Sequence, residues 1–219
     1  MANRTIEDRL REEYFELLPD IRRVLEELEA RARFKIMPIS LGLDQYERIV
    51  IRSRVKECES ALDSLRRRQE GATFDREHPD EYTLTNLRDL AGVRLLVFPR
   101  SHLEQIDLAL RREFSHWEAD HIRDSEASDA PLALKYHGYC GASDRIRGEY
   151  QIVPMLTGLF WEVEHAAIYK PAPQLRGVAR EPAMQERTRA VLKALGAFEQ
   201  EFEDLIRRSY AASNEGKSE

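Results

Sequence analysis

The 219-residue chain has no long apolar run. Its longest uncharged, apolar-looking stretch, Tyr150 to Trp161, falls far short of the roughly 18 apolar residues that a membrane-spanning helix requires. The first ten residues already hold Arg4, Glu7, Asp8 and Arg9, so the apolar centre of a signal peptide is missing too. There are two cysteines, Cys58 and Cys140, and no CxxC, which excludes a disulfide framework and offers no redox or metal motif. The six histidines, His78, His102, His116, His121, His137 and His165, have no metal-ligand spacing. Neither a GxxxxGK[ST] loop, a GxGxxG turn, an HExxH pair nor a nucleophile elbow occurs, so any phosphate handling is done without a P-loop. These absences predict a cytoplasmic protein with no membrane partner.

Charge is plentiful but balanced. Charged residues make up 34% of the chain, above the ~25% of an average soluble domain, and apolar residues make up 42%, too many for a disordered chain. With 34 Lys and Arg against 40 Asp and Glu, the net charge is −6 and the pI about 5.7. A global positive field for nucleic acid is therefore excluded. An anionic partner has to be met by a local patch.

Apolar residues Ile6, Leu10, Tyr14, Leu17, Ile21, Val24 and Leu28 follow the three- and four-residue steps of an amphipathic helix. Because proline breaks a helix interior, Pro19 predicts two helices, 5–18 and 19–34, and Met37-Pro38 ends the arm. A β-branched strand is expected at 49–55, a helix at 57–70 and a polar loop from Gly71 to Tyr82. Gly92 to Phe98 reads as a buried strand, followed by a helix from Ser101 to Phe114. Trp117 to Ile122 reads as another strand, 123–137 as an acidic loop, and Gly138 to Val153 as two short strands around Gly148. Helices are expected from Pro154 to Tyr169 and from Pro182 to Tyr210, with a frayed tail from Ala211. The alternation predicts an α/β fold, a mixed central sheet flanked by helices, with long amino- and carboxy-terminal helices. Three segments follow: a helical arm at 1–44, a central domain at 45–172 and a final helix with its tail at 173–219.

Four features carry chemistry. The first is the stretch 52–68, where Arg52, Arg54, Lys56, Arg66, Arg67 and Arg68 outnumber Glu57, Glu59 and Asp63. Arg54 and Lys56 alternate into a helix and would neutralise a polyphosphate. Next is Asp89, before the Gly92 strand, a place suited to a Mg²⁺ ligand that shares the ion with nucleotide phosphates. Then come Glu149 and Gln151, which face one side of a predicted strand, where a carboxylate can hold metal or take a proton. The last is Lys135-Tyr136-His137-Gly138-Tyr139, read as a loop offering an aromatic ring to a base. Read blandly, these are a solvated helix face, a turn aspartate and a packed tyrosine.

Their order and spacing resemble the synthetase domain of the RelA/SpoT family, of the small alarmone synthetase type, over about residues 45–172. Arg54-Val55-Lys56 with Ser60 is similar to its R-x-K-x-x-x-S motif, and Asp89-Leu90-Ala91-Gly92-Val93-Arg94 matches D-[IL]-A-G-[VI]-R throughout. Lys135, Gly138 and Tyr139 fit K-x-N-G-Y; Glu149, Gln151 and Ile152 fit E-x-Q-I; Trp161, Glu164, His165, Tyr169 and Lys170 match the segment after it. The resemblance implies transfer of pyrophosphate from ATP to the 3′-hydroxyl of GDP or GTP, giving (p)ppGpp, with Mg²⁺ as cofactor. It assigns Arg54, Lys56 and Arg94 to ATP, Asp89 and Glu149 to metal and catalysis, and Lys135, Tyr139 and Gln151 to the acceptor. Glu164 and His165 would order the last helix. No hydrolase His-Asp pair is present and the regulatory region of long members is missing, so a synthetase-only member is expected.

The departures fall on the acceptor side. Cys140, Gly141 and Ser143 stand where the family has arginine, serine and histidine, and Val153-Pro154 replaces Arg-Thr. Two alternatives therefore stay open: a toxic relative that modifies adenosine nucleotides or the 3′ end of tRNA, with an antitoxin partner, and a catalytically silent helical interaction module. For tRNA, Arg66, Arg67 and Arg68 would make the contact, with steep salt dependence. Assembly into a homo-oligomer through the terminal helices is a further expectation.

Overall fold

Reciprocal bonds start the first helix: the Thr5 hydroxyl accepts the Asp8 amide (3.1 Å) and the Asp8 carboxylate accepts the Thr5 amide (3.3 Å), a capping arrangement that satisfies otherwise orphaned donors. In the computed structural model, which describes residues 5–69, 71, 73–75, 78–122, 131–164, 177 and 181–215, α1 then runs unbroken from Ile6 to Leu41. The expected break at Pro19 does not occur, and Pro38 lies inside the helix. Pro19 and Phe15 both sit on the exposed side, where water can take up the carbonyl that loses its amide partner. The buried stripe Leu10, Tyr14, Leu17, Ile21, Val24, Leu28, Ala32 and Ile36 passes the proline in phase. Burial at about 1.5–3 kcal/mol per large apolar side chain outweighs one missing bond.

The remaining elements are β1 (Arg48–Val55), α2 (Cys58–Arg66), β2 (Ala91–Phe98), α3 (Leu103–Glu113), β3 (Glu118–Ala119), β4 (Leu134–Gly138), β5 (Gly148–Pro154), α4 (Met155–Glu164) and α5 (Pro182–Glu215). The strands form a five-stranded mixed sheet in the order β1-β2-β5-β4-β3, flanked by helices, as the α/β reading expected. Strands β3 and β4 run antiparallel, with Glu118 opposite His137 and Ala119 opposite Tyr136.

Several boundaries differ from expectation. The helix after β1 ends at Arg66 and not at position 70. The strand expected from Trp117 to Ile122 shrinks to two residues plus an isolated bridge between Ile122 and Ala133. The stretch read as a loop through 137 ends in strand β4, so Lys135 and His137 are strand residues; positions 123–130 of that loop lie outside the described residues. Of the two strands expected around Gly148, the one beginning at Gly138 does not form and the one after it is β5. Pro154 closes β5 and does not open α4, and α4 is described to Glu164, so His165, Tyr169 and Lys170 lie outside the described residues.

The chain forms two compact units, each made of three segments. The first comprises Met1–Pro38, Ile51–Leu95 and Leu108–Gln151. Its core joins the α1 stripe to an aromatic cluster in which Tyr150 stacks on Tyr136 (4.9 Å between centroids) and touches Phe114 and Trp117 (5.4 Å each). Gly148 lets β5 approach that core: a Cβ there would lie 3.1 Å from Leu28 and 3.2 Å from the Trp117 ring. Since strand side chains alternate, Tyr150 on the apolar face leaves Glu149 and Gln151 on the opposite, polar one.

The second unit comprises Ile39–Val50, Leu96–Asp107 and Ile152–Glu219. Within it α5 packs on α4 and on the turn Arg100–His102, and Phe202 meets Phe98 (5.3 Å) and Tyr46 (6.2 Å). Two buried α5 carboxylates accept backbone amides at helix starts: Glu199 from Leu156 and Glu203 from Ser101, each at 2.9 Å. Val191, Phe198 and Leu205 remain exposed. Among the described residues no helix is long and apolar enough to cross a membrane.

Candidate functional site

The polar face of the first unit's strands carries the predicted residues. Lys56, just after β1, is fixed along its backbone, its amide donating to the Leu90 carbonyl (2.9 Å) and its carbonyl accepting from the Tyr14 hydroxyl (2.8 Å). Its ammonium is thereby brought onto the Asp89 carboxylate, with the Ser64 hydroxyl 3.3 Å away. Burial works against the Asp89 charge, but Lys56, then Arg54 and Arg68, outweigh it and hold the carboxyl below its ordinary pKa. One Asp89 oxygen, Oδ1, is buried with no hydrogen-bond partner among the described residues.

Glu149, 4% exposed, is held at both oxygens: Oε1 accepts from Gln151 Nε2 (2.7 Å) and Oε2 faces Lys135 Nζ (3.1 Å). Arg94 Nε donates to Gln151 Oε1 (3.0 Å), and Lys135 also reaches Asp120 (3.3 Å). One polar chain thus runs Arg94–Gln151–Glu149–Lys135–Asp120. Burial opposes the Lys135 charge, yet Glu149 and then Asp120 keep its pKa above the ordinary lysine value. Gly92 lies between Arg54 and this row, where a Cβ would be 3.9 Å from the Arg54 side chain and 4.0 Å from the Glu149 carbonyl.

Asp89, Lys135 and Glu149 line a single cavity of about 360 Å³, at the small end for a ligand pocket. Arg54, Lys56, Arg94, Tyr139 and Gln151 do not line it; Lys56 pairs with Asp89, Gln151 bonds Glu149 and Arg94, and Tyr139 meets Arg147. The cavity also takes in Asn86, Arg88, Asp120 and Arg147, which the sequence did not single out, His137 from the stretch 135–139, to which no role was given, and Arg68 from the basic stretch. His137 is buried and meets the Glu118 carboxylate through Nε2 (3.0 Å). Only the alternation of Leu134-Lys135-Tyr136-His137 signalled that it shares a face with Lys135. Arg147 carried no motif signal.

At the corner after β4, the Tyr139 carbonyl accepts from Trp117 Nε1 (3.0 Å) and meets His116 Nε2 (2.9 Å), and the residue is 39% exposed. Cys140 turns the other way. It is buried with its thiol toward the Val24 carbonyl (3.8 Å), and burial pushes its pKa up. Of the three helix-end arginines, Arg66 is engaged by Asp63 (2.9 Å) and Glu7 (3.8 Å), while Arg68 faces the cavity.

The donor set fits Mg²⁺, which keeps one or two carboxylates and completes its octahedron with substrate phosphates and water: Asp89 lines the cavity, and its hard Oδ1 oxygen is buried without a hydrogen-bond partner among the described residues. Among the described residues no three His, Cys, Asp or Glu side chains form a metal cage, so the nucleotide would supply most of the shell. Four cations, Arg68, Arg88, Lys135 and Arg147, line the cavity against three carboxylates, Asp89, Asp120 and Glu149. Such a balance can hold a polyphosphate and a divalent ion together.

No protein-family model matches the chain, and no curated protein matches it in sequence. Solved structures do. Small alarmone synthetase 1 from Bacillus subtilis bound to its product pppGpp is similar at a TM-score of 0.66 and 16% identity, over 90% of this chain and 98% of that one. The same enzyme bound to AMPCPP gives 0.62 and 15%, over 90% and 97%. A GTP pyrophosphokinase family protein from Streptococcus pneumoniae gives 0.62 and 16%, over 88% and 92%. The chain has the fold of the small alarmone synthetases.

Proposed function

We propose that the chain is an ATP-dependent pyrophosphokinase that moves the β,γ-pyrophosphate of ATP to the 3′-hydroxyl of GDP or GTP, making (p)ppGpp. The observation that carries this reading is the meeting, on one cavity, of Asp89, one of whose oxygens has no partner among the described residues, and Glu149 with its lysine, beside three arginines. Fold neighbours solved with AMPCPP and with pppGpp support it.

In this reading Arg54 and Lys56 bind the ATP phosphates, and Asp89 and Glu149 would hold Mg²⁺, which would neutralise charge on the phosphates. Glu149 takes the proton of the 3′-hydroxyl as that oxygen bonds to the β-phosphorus and the bond from the β-phosphorus to the α,β-bridging oxygen breaks, releasing AMP. Gln151 and Arg94 keep the Glu149 carboxylate oriented. Lys135 balances its charge until substrate arrives, and Tyr139 stacks on the acceptor base. Pyrophosphoryl transfer needs positioning and charge neutralisation more than covalent help, and these side chains supply both.

The test is stoichiometry. With Mg²⁺, ATP and GDP, one AMP should form per pyrophosphorylated guanosine nucleotide, and none without GDP. AMP release independent of any acceptor would reject the reading.

A further inference from the structure

Arg147, just before β5, lines the cavity and sets its guanidinium over the Tyr139 ring, 5.4 Å from the centroid, with Nε 3.3 Å from the tyrosine hydroxyl. The other cations of the cavity are engaged. Lys135 lies between Glu149 and Asp120, Arg88 reaches Glu118 at 3.8 Å, and Arg68 donates to the Asn86 carbonyl at 3.2 Å. Arg147 pairs with no carboxylate among the described residues; its hydrogen bond and its ring contact are both with Tyr139. A half-buried guanidinium at a cavity wall with no anion beside it is suited to a bidentate phosphate contact. The residue that directly follows Tyr139 offers nothing of the kind, because Cys140 points into the core.

We infer that Arg147 binds the 5′-phosphates of the acceptor, so that the acceptor is a free nucleoside 5′-di- or triphosphate whose base takes the Tyr139 ring face opposite the guanidinium and whose phosphates reach the arginine. This rests on the reading of the cavity as the acceptor site. Tyrosine and arginine then act as one unit: the ring provides a stacking plane that any base can use, and the guanidinium selects for phosphate. Guanosine, with the same base and the same 3′-hydroxyl, lacks the group that Arg147 holds.

The experiment compares GDP and guanosine as acceptors for wild type, Arg147→Ala and Arg147→Lys, with a separate measurement of GDP binding by equilibrium dialysis without ATP. Wild type should prefer GDP. Arg147→Ala should raise the KM and the Kd for GDP by about ten- to a hundredfold, the usual effect of losing one charge-assisted contact, while the KM values for ATP and guanosine stay put. Arg147→Lys should recover part of the loss. Equal effects on GDP and guanosine, or an unchanged Kd for GDP, would overturn the assignment. If wild type modifies no acceptor, the reaction is wrong, and the dialysis arm still decides on its own whether Arg147 binds phosphate.

Discussion

Lys135 Nζ stands 3.1 Å from Glu149 Oε2, the one cation among the described residues in contact with the most deeply buried carboxylate of the site. The pair makes each partner dependent on the other. Lys135→Met should cost about 2–3 kcal/mol in chemical denaturation, as charged hydrogen bonds do when one side is removed, because Glu149 is left buried and charged. The double variant Lys135→Met/Glu149→Gln should be more stable than Lys135→Met alone. If the two losses simply add, the pair does not share an energetic role.

Glu149→Gln and Asp89→Asn should each lower transfer at least about a hundredfold, the low end for a general base, with near-native circular dichroism at the assay temperature. Near-normal turnover in either variant would remove that residue from the machinery.

The Lys56–Asp89 pair sets an acid limit. Because the folded carboxyl lies below its ordinary value, its contribution is present above the unfolded pKa of about 3.9 and is lost as pH falls through the lowered folded one. In Lys56→Met the largest of the effects that offset burial is lost, and only Arg54 and Arg68 remain. The Asp89 pKa should then rise, and the acid loss of stability should begin at higher pH. Carboxyl-detected NMR titration reads this directly, and an unmoved Asp89 would show that Lys56 does not hold it.

A glycine on each face of the sheet separates packing from chemistry: Gly138 shares the apolar side with Tyr136, and Gly92 the polar side with Arg94. A Cβ on Gly138 would come within 2.5 Å of the Trp117 ring, whereas one on Gly92 meets nothing closer than 3.9 Å. Gly138→Ala should destabilise by about 1–3 kcal/mol, the range for overpacking. Gly92→Ala should melt near wild type. Equal melting temperatures would mean that the Trp117 ring yields freely.

Of the fold, the elements with a clear period were legible, and the places where tertiary packing overrides local preference were not. Pro19 reads as a helix break because propensity is local; the in-phase stripe from Leu10 to Ile36 keeps α1 whole. Strand β4 was hidden by the acidic stretch before it and by Lys135 and His137, polar residues whose burial depends on Glu149 and Glu118 across the sheet. At the site, the motif residues Asp89, Lys135 and Glu149 do share one cavity. Arg147 and Asp120 could not be found, because nothing in their neighbouring residues marks them; strand pairing alone brings them in.

In the second unit, burial raises the Glu199 pKa against the opposing effects of the Leu156 amide and Arg100, with Glu203 adding to the rise. Between the ordinary glutamate value of about 4.3 and the raised one, the folded state binds more protons, so stability should fall as pH rises through that window. Glu199→Gln keeps an acceptor for Leu156 and should flatten this slope in pH-dependent denaturation. An unchanged slope would assign it to another group.

The most direct measurement of the central claim is to offer the protein Mg²⁺ and ATP labelled at the γ-phosphate together with GDP, GTP, AMP, ATP or bulk tRNA, and to identify which acceptor becomes labelled. Label on the 3′-position of GDP and GTP is predicted, and it should vanish with Glu149→Gln. Label on tRNA or on adenosine nucleotides in place of GDP and GTP, or on no acceptor at all, would contradict it.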